Sequence, residues 1–178
     1  MRTYLTLLLL PLLLLNCGGV KPATGGKATR YFTTFYTGAE TGTQYFIKPL
    51  SFRAEDGAEL TLDVTFREGR FAQDSATLNY TVVANTQLPD RLPLAGKGKS
   101  NFVTTDIDRL FQERLKQQYS SRYTSRIPNP DFLGVFNDPD LLLVATIGAQ
   151  EVTFRPTTKT ANALAEIRYS LLSLFDKN

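Results

Sequence analysis

Residues 60–67 read LTLDVTFR, with every second side chain apolar. Leu60, Leu62, Val64 and Phe66 fall on one side of an extended chain, and Thr61, Asp63, Thr65 and Arg67 on the other. A side-chain period of two belongs to a β-strand with one face in a core and one in water. A helix would scatter those four apolar residues around its axis, so the segment commits the chain to a sheet covered on one face. Antiparallel sheets are the ones that commonly leave a face to solvent.

The signature extends in both directions. RYFTTFYT (30–37) and QYFIKPLSF (44–52) are rich in aromatic and β-branched residues, as strands are. Pro49 lacks the N–H that a ladder needs, so it predicts a bulge or an edge. AEDGAE (54–59) is a turn, and ATLNYTVVA (76–84) alternates again through Leu78, Tyr80 and Val82. Residues 85–101 carry two Pro and two Gly and read as a loop with room for a short edge strand.

At 104–124 the period changes. Ile107, Leu110, Phe111, Leu115 and Tyr119 recur at three and four, which predicts an amphipathic helix capped by Thr105 or Asp106. Residues 127–140 form a Pro-rich connection with space for a turn of helix. Residues 141–147 and 151–156 flank Gly148 as a hairpin. A second helix is predicted over 158–175, with Ala161, Leu164, Ala165, Leu171, Leu172 and Phe175 as its stripe. The expected fold is α+β: a largely antiparallel sheet of about six strands and two amphipathic helices, in the order ββββ-α-ββ-α. Leu62, Val64, Leu78, Leu143, Phe154 and Leu171 are the predicted core.

Composition narrows the chemistry. The chain of 178 residues has no His, which removes the commonest general base and metal ligand and excludes Ser-His-Asp and Cys-His constellations. No phosphate-binding glycine loop or nucleophile elbow is present. No metal or cofactor is therefore expected. A net charge of +3 is too mild to suggest a nucleic-acid partner. The length suits one globular domain, placed at 29–178, large enough to bury a core unaided. It has to, because the chain's one cysteine, Cys17, allows no intramolecular disulfide.

Cys17 follows an apolar run, residues 4–15, with Arg2 ahead of it. The run is shorter than the roughly 20 residues a membrane-spanning helix needs, and fits the h-region of a secretory signal. Its end, Leu14-Leu15-Asn16-Cys17, resembles the lipobox of bacterial lipoproteins; Leu14 and Cys17 match, whereas Leu15 and Asn16 stand where small residues are usual. The resemblance implies a signal peptide over 1–16, acyl chains on Cys17 and a lipid anchor in the membrane. Gly18 in place of Asp implies the outer membrane, facing the periplasm. Residues 17–28 comprise the anchored Cys and a Gly- and Pro-rich tether, whose ten residues 18–27 span about 18 Å r.m.s.. The segments YFIKPLSF and LTLDVTFR also look like those of small envelope lipoproteins of Bacteroidota-type bacteria.

Three features remain as candidate sites. Residues 91–126 carry eight cations against three acids, a surplus of five. On the predicted helix and just past its end, Arg109, Arg114, Lys116, Arg122 and Arg126 form a surface for an envelope protein or anionic glycolipid, or an ordinary solvated face. The acid pairs Glu55-Asp56, Asp106 with Asp108, and Asp138 with Asp140 are the raw material for a carboxylate-based hydrolase of envelope glycans. Each pair also fits a turn or a helix start. Asp74-Ser75-Ala76 resembles a bacterial O-glycosylation acceptor centred on Ser75, and Asn79-Tyr80-Thr81 fits the N-glycosylation pattern. The expected function is a membrane-anchored, non-enzymatic binding or accessory subunit, with the hydrolase as the alternative.

Overall fold

The computed structural model describes residues 29–38, 42–68, 74–98 and 101–175. The expected signal peptide (1–16), the expected lipidation at Cys17 and the expected tether up to residue 28 lie outside the described residues. Ten strands follow one another: β1 (Phe32–Gly38), β2 (Gly42–Arg53), β3 (Glu59–Glu68), β4 (Ser75–Ala84), β5 (Leu94–Lys97), β6 (Phe102–Val103), β7 (Thr105–Leu115), β8 (Gln118–Pro128), β9 (Leu142–Ile147) and β10 (Gln150–Pro156). Helix α1 (Asn129–Phe136) separates β8 from β9. Helix α2 (Thr158–Ser170) and a 3-10 turn (Leu172–Leu174) follow β10.

All pairings are antiparallel, in the order β6-β5-β9-β10-β2-β3-β4-β8-β7, with β1 beside β2. The path begins and ends on β6 and β7, which are consecutive in the chain and joined by Thr104 alone. Thr104 carries the β5–β6 pairing up to the link: its N–H donates to the Leu94 carbonyl at 2.9 Å, and its hydroxyl accepts from the Leu94 N–H at 3.0 Å. The sheet is thus a nearly closed barrel. The expected α+β fold with about six strands is overturned.

The alternation at 60–67 does what its period demands. Leu60, Leu62, Val64 and Phe66 are buried, and their four polar neighbours are half-buried on the outside. Leu78, Tyr80 and Val82 of β4 join them, and all six predicted core residues are buried. Each fully buried Leu or Phe contributes roughly 1.5–3 kcal/mol. Pro49 sits in a register shift between Ile47 and Leu50, where β2 turns from one neighbour to another. Before the shift β2 pairs with β1, and after it, at Phe52 and Arg53, with β10. Gly96 of β5 is required because a Cβ there would stand 2.1 Å from the Phe102 ring.

The helix expected over 104–124 is the hairpin β7–β8 instead. Register shifts between Thr105 and Asp108 and between Arg109 and Phe111 break the alternation of β7, and its half-buried residues are Ile107, Arg109 and Gln112. Each shift moves later side chains to the other face. Leu110, Phe111 and Leu115, expected inside, are exposed. In β8 the inward row is Ser121, Tyr123, Ser125 and Ile127, all buried, so small polar residues occupy core positions.

The helices close the barrel's inner face. Phe132, Val135 and Phe136 of α1 are buried, with the Phe132 ring 4.9 Å from Phe66. Phe175 lies 5.6 Å from Tyr45 and 5.7 Å from Phe66, centroid to centroid. Arg168 joins the helices, donating to the carbonyls of Phe136 (2.8 Å) and Asp138 (2.5 Å). Burial lowers the pKa of its guanidinium, and Asp138 and Asp140 oppose that shift. In α2 the buried residues are Thr160, Ala163, Leu164 and Ile167, whereas Ala161 and Ala165 of the expected stripe are exposed.

Candidate functional site

The five basic candidates do not share a face. Arg109 lies on the inner side of β7, paired with Asp90 at 2.5 Å and donating to the Leu88 carbonyl at 3.4 Å. Arg122 points outward from β8 and meets Asp63 of β3 at 2.8 Å and the Thr81 hydroxyl of β4 at 3.3 Å. Both guanidinium groups hold strands or loops together. Arg114 lies over the Tyr119 ring at 5.7 Å, and Lys116 occupies the two-residue turn with φ 55°. Arg126 is exposed opposite Thr105, eight residues from Gln118 and so about 26 Å along β8 at roughly 3.3 Å per residue.

The three acid pairs lie in three different elements. Asp56 serves the 54–58 turn, its carboxylate accepting from the Ala58 N–H at 2.9 Å, with Gly57 at φ 86°. Asp138 is buried and accepts from the Asp140 N–H at 2.9 Å, closing the turn before β9. Asp106 and Asp108 stand exposed on β7 rather than in a helical first turn, Asp106 with φ 49° in the bulge. Among the described residues no three metal-ligating side chains converge. Ser75 opens β4 opposite Pro128 and is half-buried. The Asn79 amide donates to Asp63 at 3.0 Å.

What the topology does assemble is a set of hollows at one end of the barrel. Three turns meet there: 54–58, the start of the 85–93 loop, and the β9–β10 turn at Gly148, whose φ is 64°. Adjoining hollows of about 300, 370 and 440 Å³ run around that last turn. The first two share Asp56, Gln150 and Val152, and the second and third share Gly148. Glu55, Asp56 and Glu151 stand on one wall with Arg155, and Asp90 on another. Glu151 is held by Lys97 at 2.5 Å.

The loop wall is fixed from inside the barrel. The Tyr80 hydroxyl donates to the Leu92 carbonyl and the Tyr123 hydroxyl to the Pro89 carbonyl, the latter at 2.7 Å. Leu88 and Leu92 are buried beneath it. Burial pushes both phenols above their ordinary pKa of 10, Tyr80 the further. The end groove is therefore a preformed, polar, acid-rimmed surface on a rigid wall. Its residues come from three turns far apart in sequence. Turn signals such as Asp56-Gly57 and Gly148 mark the loops, but only the closed sheet brings them together.

The chain matches no family model, no curated protein and no solved structure.

Proposed function

We propose that this chain is a lipid-anchored protein of the bacterial envelope, a non-enzymatic binding or accessory subunit held at the periplasmic face of the outer membrane. The observation that carries the reading is the apolar run 4–15 ending on the chain's one cysteine, Cys17. The end groove supports a binding role, since the mouths of barrels are frequent ligand sites. Two of the three acid pairs supply a turn carboxylate, which favours binding over glycan hydrolysis.

The anchor is tested by Cys17→Ser, which is expected to release the protein from the membrane fraction or leave the precursor unprocessed. Fractionation like the parent protein would overturn the anchor. The binding role is tested with a photo-reactive residue at Gln150 and a control at Thr77 on the outer sheet face. A discrete envelope partner captured from 150 and not from 77 is expected. Cleavage of an envelope glycan by purified protein, lost in Glu55→Gln or Asp56→Asn, would replace this reading with the hydrolase.

A further inference from the structure

A further hollow, of about 240 Å³, shares no lining residue with the end groove. It opens where three segments meet: the chain entering β1, the Lys48–Pro49 irregularity of β2, and the first turn of α2. Arg30, Lys48 and Lys159 line it together with Tyr31, Pro49 and Ala163, and no lining residue is a carboxylate. Arg30 lies over the Tyr31 ring at 5.5 Å, and the Lys48 ammonium donates to the Thr29 carbonyl at 2.9 Å. The three cations are exposed, while Leu50, Thr160 and Ala163 behind them are buried. The cap of α2 is closed by Thr157, whose hydroxyl accepts from the Thr160 N–H at 3.3 Å, so the hollow draws its charge from side chains.

We infer that this hollow docks the protein onto the bilayer by taking the phosphate of an anionic lipid headgroup. Three cations with no acid among them suit a phosphate oxyanion on an aliphatic stem, with Tyr31 and Pro49 against the glycerol. The chain leading to the hollow names the source of that phosphate. Residues 18–28 run from the anchoring cysteine to Thr29, the residue Lys48 holds. Eleven residues reach at most about 40 Å. The nearest dense array of anions is therefore the membrane surface itself. The sequence 18–30 carries Lys21, Lys27 and Arg30 and no acid, so the chain leading to the hollow has the same sign of charge as the hollow. The inference rests on the lipid-anchor reading. It moves the anionic contact from the β7–β8 hairpin to the root of the tether.

The test reconstitutes the lipidated full chain in phosphatidylglycerol-containing vesicles and in neutral phosphatidylcholine vesicles, then labels amines and reads each lysine by mass spectrometry. Lys48 and Lys159 are expected to react about fivefold more slowly on the anionic vesicles, from roughly 1 kcal/mol per cation at such a surface. Lys116 is expected to be unchanged, and added salt to erase the difference. Lys48→Gln is expected to remove most of the protection at Lys159, with an unaltered circular dichroism spectrum. Equal lysine reactivity on both kinds of vesicle, in a chain that floats with them, overturns the docking while the anchor stands. Equal protection by millimolar inorganic phosphate on neutral vesicles overturns the bilayer as the source. A chain that does not float overturns the anchor and the docking with it.

Discussion

Replacing Arg122 with Gln separates a strand-holding role from a partner-binding one. The guanidinium meets Asp63 at 2.8 Å, the Asn79 amide donates to the same carboxylate at 3.0 Å, and Arg122 also reaches Thr81 at 3.3 Å. The network joins β3, β4 and β8. An exposed ion pair contributes about 0.2–1 kcal/mol, and a hydrogen bond to a charged group about 1.5–3 kcal/mol. The two side chains are 31% and 22% exposed, so solvent screens the pair only in part. The expected loss is about 1.5 kcal/mol, or roughly 3–6 °C in Tm at about 2–4 °C per kcal/mol for a domain of this size. Arg126→Gln, on the same strand but exposed, is the control and is expected within about 0.5 kcal/mol of the parent. A double-mutant cycle with Asp63→Asn, followed by thermal unfolding, is expected to give a coupling near 1 kcal/mol. Equal effects of Arg122→Gln and Arg126→Gln, with no coupling to Asp63, would refute the assignment.

Burial raises the pKa of Tyr45, Tyr80 and Tyr123 above 10. The folded chain keeps these protons after the unfolded chain has lost them, so denaturant midpoints are expected to be level below about pH 10 and to fall above it. Tyr80→Phe is expected to make that fall shallower and to cost about 1 kcal/mol at neutral pH for the lost bond to Leu92. Leu62→Ala is expected to cost about 2–5 kcal/mol, and Thr61→Ala on the other face little, by urea unfolding; equal losses would mean the faces are exchanged. Lys116→Gly is expected to stabilise the hairpin by about 0.5–1 kcal/mol in the same assay, because φ 55° strains a side chain and not a glycine.

Strands β3 and β4 are legible because their inward rows are unbroken apolar runs, and the turn before β3 carries its own signal at Asp56-Gly57. The hairpin β7–β8 is not, for three physical reasons. Two bulges shift the period of β7. Ser121 and Ser125 take core positions that a pattern reader expects to be apolar. The turn at Lys116 lacks the Gly or Asn that normally marks a positive φ. Helix α2 begins where the pattern predicts but ends at Ser170, short of 175; Leu164, Leu171 and Leu172 of the expected stripe are buried, whereas Thr160, whose hydroxyl accepts from the Ser51 N–H at 2.8 Å, and Ala163 take the inward places expected of Ala161 and Ala165. The surfaces were the least legible part. Counting charge along 91–126 gathers residues that the fold disperses, whereas Arg30, Lys48 and Lys159 are gathered by the fold and dispersed in the chain.

The one-residue link at Thr104 has a consequence for the order in which the molecule assembles. Neighbours β1 to β4 can zip in sequence as they are made. Strand β5 cannot be flanked on both sides until β9 exists, and β9 begins 45 residues after Lys97. Long-range pairings of this kind fold slowly and leave edges open to wrong partners in the interval. A chain that stops after Pro128 would hold the meander and its hairpin but lack β9 and β10, which carry the path from β2 round to β5. It would be an open ribbon with exposed edges, not a smaller barrel. During synthesis, the last residues to emerge decide whether the earlier ones ever become a closed wall.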